Sequence, residues 1–211
     1  MKQDEFFDER IIDMINQSEQ KTNFMPNQLK DEKKAETEEH SLESGIKILG
    51  KWVYFERRFL ADETITMMIP TGFVIMNTEV AKRKYPSEQR PETILTDETG
   101  TINLMFQYME GEVNNTTIEN FRNQIFGMMK RVNQGIKERE IGAVEVEGKQ
   151  IAYVEFSSPA MDGKLYNLMF YMEVKGKPLM CSFNCRTKDM KYWRTVAFEM
   201  LQSIEILESE E

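Results

Sequence analysis

The stretch "AYVEFSSPAMDGKLYNLMFYMEVKGKPLMCSFNC", residues 152–185, decides the fold of this chain. It lies within a succession of apolar runs rich in β-branched and aromatic residues, a composition that favours strands. The short breaks between the runs carry a glycine after a charged residue, as in Lys175-Gly176, which is typical of tight hairpin turns. Successive strands joined by hairpins predict an antiparallel sheet. The four predicted strands span residues 139–147, 150–157, 164–174 and 178–186.

Strand and helix patterns continue on both sides of this stretch. The turn signals at 61–63 and 97–100 predict two more hairpins. Three helices are also predicted in this part of the chain, two from apolar residues at helical spacing and a short one that Pro86 ends. These helices lie near 79–84, at about 116–132 with a capping box of Thr116 and Glu119, and at about 188–203 with Thr187 as the cap. The predicted fold class is α+β, a mostly antiparallel central sheet flanked by helices as an α/β/α sandwich.

The two cysteines lie on the last predicted strand and share one of its faces with Leu179 and Phe183. Four residues of a strand span roughly 13 Å at ~3.3 Å each, whereas a disulfide needs Cα atoms within ~7 Å. Cys181 and Cys185 therefore cannot form a disulfide while the strand is regular. Zinc would need further ligands, and the only histidine, His40, lies in a polar segment upstream. We interpret both cysteines as core residues.

The charge of the chain is concentrated at its ends. Residues 1–44 contain 6 Lys+Arg and 12 Asp+Glu, a net charge of −6, and residues 205–211 add four acids. Because the total is −9, these numbers leave +1 for the residues between them. A nucleic-acid-binding protein would need a basic face, so the sequence predicts no binding to nucleic acid.

The N-terminal region reads as an arm attached to a folded domain. Within residues 1–19, an apolar stripe at helical spacing predicts an amphipathic helix. The stripe consists of Phe7, Ile11, Met14 and Ile15. Residues 20–44 are too polar to form a core and predict a flexible acidic linker. The sandwich domain is expected at 45–206, and an acidic tail at 207–211. A helix with such an apolar stripe must dock on its own chain, on a second copy or on a partner.

No arrangement typical of catalysis is found in the sequence. Nucleophilic catalysis of the Ser/His/Asp or Cys/His type needs a histidine near the nucleophile, and His40 lies in the predicted linker. The phosphate-binding patterns GxxxxGK[ST] and GxGxxG are missing. We therefore predict that the protein is not an enzyme and has no catalytic residues, no cofactor and no metal site.

The location is predicted from the same features. No apolar run reaches the ~18 residues of a membrane span, and the N-terminus lacks the apolar region of a secretory signal. Two cysteines do not form a disulfide framework. These features predict a cytoplasmic protein.

One face of the predicted sheet has an unusual composition. Opposite the main apolar rows, two strands present methionine, tyrosine and amide side chains, which suit contacts with peptide partners. The candidate partner-binding residues on this face are Met105, Gln107, Asn167, Met169 and Tyr171, and those on the N-terminal helix are Phe7, Ile11 and Ile15. The alternative is that another element, such as the N-terminal helix, covers this face of the sheet.

Four segments together resemble the PsbP-like α/β/α sandwich superfamily. They are "IPTGF" (69–73), "DETGTINLMF" (97–106), the long hairpins of 152–185 and "WRTVAFEMLQSI" (193–204). The superfamily includes an extrinsic photosystem II protein, a Ran-binding nuclear-import factor and bacterial members. The resemblance covers about 46–206 and implies an antiparallel sheet between helices and a binding or accessory role. It supplies no catalytic set to transfer, and the chain departs from it in its acidic arm and in lacking an export signal.

The leading hypothesis is a non-catalytic cytoplasmic binding or adaptor protein of bacterial type with a protein partner. The second is a chaperone-like escort whose Met/Tyr face holds an apolar helix of a secreted or membrane client. The third is an enzyme or small-ligand protein whose pocket the sequence does not reveal. The oligomeric state and the identity of the partner stay open at this stage.

Overall fold

A computed structural model describes residues 41–85, 87, 90–91, 93–160 and 163–207 of the chain. All of them lie in a single compact unit. The predicted N-terminal helix with Phe7, Ile11 and Ile15, the first part of the predicted linker and most of the predicted tail lie outside the described residues.

A seven-stranded antiparallel sheet forms the centre of the fold. Its strands follow the order β5-β6-β7-β11-β10-β9-β8. They are β5 (Val74–Ile75), β6 (Thr93–Thr96), β7 (Asn103–Tyr108), β8 (Lys137–Val146), β9 (Lys149–Ala160), β10 (Gly163–Val174) and β11 (Lys177–Arg186). The last four correspond to the four strands predicted from the hairpin pattern. Consecutive strands pair along β8-β9-β10-β11, which confirms the antiparallel prediction.

Five further strands form two small sheets. One is the hairpin of β1 (Ile46–Ile48) and β2 (Lys51–Val53). The other has the order β12-β4-β3, with β3 (Phe55–Leu60), β4 (Ile65–Pro70) and β12 (Glu205–Ile206). The turn from β3 to β4 has positive φ at Ala61, Asp62 and Glu63. Tyr54 separates β2 from β3, so the β-rich run of residues 52–60 before the predicted turn at 61–63 forms parts of two strands and not one.

Three helices complete the described part of the chain: α1 (Thr78–Lys84), α2 (Ile118–Val132) and α3 (Met190–Gln202). The predicted capping box of α2 is wrong. The Asn114 side chain accepts hydrogen bonds from the backbone N–H of Thr116 and Thr117, and the helix begins two residues after Thr116. The predicted cap of α3 is wrong as well, because Asp189 holds the N-cap position, while the Thr187 hydroxyl donates to the Lys164 carbonyl.

The two faces of the large sheet are packed differently. The first face joins one large core with α3 and the three-stranded sheet. Both cysteines are free and fully buried in this core, which confirms their interpretation as core residues. The second face contacts α2 at one side and α1 at the other.

The folded domain begins earlier than the predicted linker boundary. Residues 41–44 form a turn, with the Gly45 N–H donating to the Ser41 carbonyl at 3.0 Å. Leu42 in this turn is only 7% exposed and joins the large core. The last four residues of the predicted linker are therefore structured, because one leucine among polar residues is enough to anchor the turn. The earlier linker residues lie outside the described part.

Candidate functional site

The Met/Tyr face predicted to bind a partner is covered by helices of the chain itself. Tyr171 is fully buried and meets Phe121 of α2 edge to face, with ring centroids 6.0 Å apart. Met169 packs in the same cluster, and Met105 packs with Ala81 of α1. The alternative that another element covers this face is thus what the structure shows, with α1 and α2 as the covering elements.

The polar residues of this face form a buried row across three strands. Asn103, Asn184 and Asn167 lie opposite one another on β7, β11 and β10. The amide of Asn103 donates to Asn184 at 2.9 Å, and Asn184 donates to the hydroxyl of Tyr85, just after α1, at 3.4 Å. The amide of Asn167 donates to the Ser158 hydroxyl at 3.0 Å. The Asn103 and Asn184 amides thus bond to each other and connect the sheet to the end of α1, whereas Asn167 bonds to Ser158 instead.

Gln107 is half-buried, whereas Met105, Asn167, Met169 and Tyr171 are buried. These four residues can contact a partner directly only if the helix that covers them moves away from the sheet. Partner binding by any of the five stays a prediction.

The most exposed aromatic residues of the described chain include a pair on the first hairpin. The rings of Trp52 and Tyr54 stack at a centroid distance of 6.2 Å and an angle of 14°. Trp52 is 45% exposed, Tyr54 56%, and Leu49 at the hairpin turn 60%. We refer to these three residues as the hairpin surface. Exposed stacked aromatics are common at the centres of protein interfaces, because they bury a large area at low cost in side-chain entropy.

Gly45 shapes this surface. Its φ is +90°, a conformation that L side chains rarely adopt. A Cβ added there would lie 2.9 Å from Cδ1 of Tyr54. The glycine therefore permits both the turn into β1 and the position of the Tyr54 ring against the backbone.

A buried network of charged residues lies on the first face. Glu155 on β9 is 1% exposed and accepts hydrogen bonds from Nε and Nη2 of Arg194 on α3, at 2.8 and 3.0 Å. The Tyr166 hydroxyl donates to the same carboxylate. Arg194 also donates to Glu140 on β8 at 2.8 Å, and the Tyr153 hydroxyl donates to Glu140 at 2.7 Å. The network connects α3 to β8, β9 and β10.

The electrostatics of this network favour structure over acid–base chemistry. Burial and the neighbouring Glu155 carboxylate raise the pKa of Tyr166 well above its usual range. A general acid or base needs a pKa near the working pH and access to a substrate. Tyr166 meets neither requirement, and Glu155 has no access to a substrate because it is buried and its oxygens accept hydrogen bonds from Arg194 and Tyr166.

Comparison with known proteins assigns the fold. No family model matches the chain, and no curated protein matches it. Among solved structures, cyanobacterial PsbP (CyanoP) from Synechocystis sp. PCC 6803 gives a TM-score of 0.54 at 11% identity, over 72% of this chain and 92% of that chain. The chain has the PsbP-like fold.

Two other solved structures align at lower scores. LpqN, involved in cell envelope biogenesis of Mycobacterium tuberculosis, gives a TM-score of 0.49 at 9% identity over 74% of this chain and 92% of its own. A protein of unknown function from Pseudomonas aeruginosa gives 0.42 at 10% identity, over 74% of this chain and 99% of its own. We base the assignment of the PsbP-like fold on CyanoP alone.

Three observations on the described part of this PsbP-like domain concern metals, membranes and small ligands. Within it, no three His, Cys, Asp or Glu side chains are grouped so that they could hold a metal ion. None of its helices has the length and apolar character needed to cross a bilayer. A cavity of about 240 Å³ near β12 is lined by Val146, Glu147, Lys149, Ile151, Ile204 and Ile206. This volume is below the roughly 300–1,000 Å³ of typical small-molecule sites.

Sequence reasoning missed both the hairpin surface and the buried network. A signal for the network was present, because Glu155 interrupts the apolar alternation of its strand. Its partner Arg194 is 39 positions away, and only the fold brings the two together. For the hairpin surface, the signal was the aromatic pair at 52 and 54, which fits one longer strand equally well.

Proposed function

We propose that the protein is a non-catalytic binding or adaptor protein that acts in the cytoplasm and contacts a protein partner through the hairpin surface. We propose further that the fold is a full α/β/α sandwich and that an N-terminal helix provides a second contact with the partner. The observation that carries it is the stacked pair of Trp52 and Tyr54, which is exposed although both residues are large and partly apolar.

The surroundings of the hairpin surface indicate the chemistry of the partner. Lys47 lies directly opposite Trp52 in the hairpin, and Lys51 precedes it; both lysines are exposed. An interface of this kind combines an apolar centre with a charged rim. The surface fits a protein segment that presents an apolar side chain flanked by acidic residues.

The experiment compares three full-length baits in lysate of the source cells. The parent is expected to capture a partner. The variant Trp52→Ser/Tyr54→Ser should capture at least about tenfold less of this partner, because truncating central aromatic residues of an interface costs roughly 2 kcal/mol or more of binding free energy. Val132→Ser is the matched control, since Val132 is 74% exposed at the end of α2, away from the hairpin.

Thermal melting verifies that both variants are folded. A folded double variant that captures the same proteins in the same amounts as the parent contradicts the proposal. If the Val132→Ser control also loses the partner, the effect is not specific to the hairpin surface, and this outcome contradicts the proposal as well.

The escort hypothesis receives less support. A client helix would need to reach Met169 and Tyr171, and both lie beneath the chain's own α2. That hypothesis requires α2 to leave the sheet, whereas binding through the hairpin surface requires no rearrangement.

A further inference from the structure

One end of the large sheet brings together the ends of four neighbouring strands and two helices. Strands β8 and β10 begin there, and β9 and β11 end there, because consecutive strands of this sheet are antiparallel. Helix α2 leads into β8 through residues 133–136, and α3 follows β11 after residues 187–189. Side chains that are far apart in the sequence are therefore neighbours at this end.

This end of the sheet carries five exposed cationic side chains, which we call the basic surface. They are Lys137, Arg139, Lys164, Lys188 and Lys191. The N–H of Thr187 donates to the carbonyl of Lys164 at 2.9 Å, so the backbone before Lys188 passes next to the start of β10. Lys188 and Lys191 lie on either side of the residue that caps α3.

The register of the strands shows how widely the basic surface is spread. Lys137 lies opposite Ser157, and Ser157 lies opposite Tyr166, two residues from Lys164. The spacing of strands and of residues then puts the Cα atoms of Lys137 and Lys164 roughly 12 Å apart. An extended segment of a few residues can reach both.

The carboxylates at this end are already paired with other cations. Glu138 pairs with Lys130 and Asp189 with Arg186, each at 2.8 Å. The two carboxylates of the buried network are held by Arg194. Within the described residues, none of the five side chains of the basic surface forms an ion pair. Their positive charge is therefore not compensated by these neighbours.

Two further groups complete the surroundings of the basic surface. The ammonium of Lys191 lies over the ring of Tyr192, 4.6 Å from its centroid, which leaves the charge of the lysine in place. Asp162, in the turn between β9 and β10, lies outside the described residues.

The opposite end of the sheet is acidic. Five glutamates lie on its strand ends and connections, against three lysines: Glu110, Glu112, Glu145, Glu147 and Glu173. The net charge of +1 for residues 45–204 therefore conceals a separation of charge along the strands. A charge distribution of this kind directs an anionic partner to one end of the domain.

We propose that the basic surface binds an acidic segment of a partner protein. This binding goes beyond the proposed function, because it uses neither the hairpin surface nor an apolar anchor. The five cations attract a run of glutamate or aspartate side chains, and the acidic end repels the same run. Each exposed ion pair contributes little, so the affinity depends on several carboxylates bound at once and falls as salt is added.

The basic surface fits an acidic peptide better than a nucleic acid. Glu138 and Glu140 lie on either side of Arg139, so the regularly spaced phosphates of a nucleic acid would meet carboxylates as well as cations. A flexible peptide can place its carboxylates at the cations alone. Base stacking also requires exposed aromatic rings, and none of the large exposed aromatic side chains of the described chain belongs to the segments that form the basic surface.

The experiment measures binding of the full-length protein to a fluorescent peptide by anisotropy. The peptide alternates Glu with Ser over about 16 residues and has no apolar side chain, so it can extend across the whole surface. A single-stranded DNA of the same net charge is the second probe. The parent should bind the peptide more tightly than the DNA, and its affinity for the peptide should fall by about tenfold or more between ~50 and ~300 mM NaCl.

Charge reversal locates the binding site. Lys164→Glu/Lys188→Glu should weaken binding of the peptide by about tenfold or more, because it replaces two attractions with two repulsions. Lys137→Glu/Lys191→Glu tests the same surface with a second pair of residues and should have the same effect. All four side chains are exposed, so both variants should fold, and circular dichroism verifies this.

The matched control is Lys175→Glu/Lys177→Glu. It makes the same change in net charge at two exposed lysines of the turn between β10 and β11, at the acidic end. The twelve residues of β10 separate this turn from the basic surface by roughly 40 Å, whereas the Debye length is about 10 Å at 0.1 M salt. The control should therefore change the affinity for the peptide by less than about twofold at that salt concentration.

Four results overturn the proposal. The first is a parent that does not bind the peptide. The second is tighter binding of the DNA, which would make the surface a nucleic-acid site. The third is a pair of folded reversal variants that bind the peptide as the parent does. The fourth is an equal loss of binding in the control, which would show that only the total charge of the protein matters.

Discussion

Arg194 on α3 and Glu155 on β9 form a two-bond ion pair, with Nε–Oε1 at 2.8 Å and Nη2–Oε2 at 3.0 Å. The carboxylate is 1% exposed, while the arginine side chain is one-third exposed. A buried charge is tolerated only when its partners compensate for the lost hydration. The pair therefore positions α3 on the sheet, and its removal should be costly even though its net contribution to stability is modest.

Replacing Glu155 with Gln should destabilise the protein. Arg194 and Tyr166 would both lose their charged acceptor inside the fold, and breaking a buried pair costs about 3 kcal/mol at the lower end of the usual range. Glu138→Gln is the control, because its pair with Lys130 is roughly half exposed on both sides and should be worth less than about 1 kcal/mol. Urea titrations of both variants measure the difference, and equal losses would contradict a structural role of the buried pair.

Replacing Tyr171 with Phe should stabilise the protein. No described residue offers a hydrogen bond to its hydroxyl, although the side chain is fully buried under α2. Leaving a buried polar group unpaired costs about 1–3 kcal/mol, so its removal should raise the free energy of unfolding by about 1 kcal/mol. Tyr166→Phe is the opposite case, since that hydroxyl donates to Glu155 and its loss should destabilise. A Tyr171→Phe variant less stable than the parent would show that the hydroxyl has a partner.

The cysteines should react slowly with thiol reagents in the native protein. Both are fully buried, and burial raises the pKa of Cys185 to about 12, with Asp189 adding to the effect. Burial also raises the pKa of Cys181. Only the thiolate is a nucleophile, so labelling at pH 8 should require unfolding and become fast in denaturant. Rapid labelling of the folded protein would show that the core around β11 opens easily.

Stability should fall as the pH rises above about 9. The Cys185 thiol ionises near 9 in the unfolded chain and near 12 in the folded one, so its contribution is fully present below pH 9 and is lost between the two values. Burial raises the pKa of Tyr153, Tyr166 and Tyr171 as well, and each adds to the loss above pH 10. Each such group contributes at most about 1.4 kcal/mol per pH unit. The midpoint of urea unfolding, measured from pH 7 to 11, tests this predicted loss of stability. A midpoint that stays constant over this range would contradict the prediction.

The strands of the large sheet were predictable because their signal is local. Alternation and glycine turns locate β8 to β11 within a few residues, and the shared face of Cys181 and Cys185 follows from period two. Strand β1 was missed, and β2 was not separated from the run that continues into β3, because three residues are too few for alternation to be visible. The predicted cap of α2 was wrong because the Asn114 side chain accepts the hydrogen bond from the backbone N–H of Thr116.

The candidate site was less predictable, because its properties depend on contacts between distant parts of the chain. The composition of the Met/Tyr face is compatible with contact to a partner or to a helix of the same chain. Only the position of α2 across β9 and β10 decides that Tyr171 meets Phe121. In the same way, nothing near Tyr54 in the sequence shows that its ring rests against Gly45.

The contact between Gly45 and Tyr54 can be tested with two glycines of the same hairpin. Gly45 and Gly50 both have positive φ, +90° and +78°, so an alanine at either position carries a similar backbone strain of about 1–2 kcal/mol. At Gly50 no atom beyond the two neighbouring residues lies within 4 Å of the added Cβ, whereas at Gly45 the Cβ would lie 2.9 Å from the Tyr54 ring. Gly45→Ala should therefore destabilise more than Gly50→Ala and should also displace Tyr54 from Trp52, which near-ultraviolet circular dichroism detects. If the two variants have the same stability and the same aromatic spectrum, the Tyr54 ring does not rest on Gly45, and the hairpin surface is not held in this arrangement.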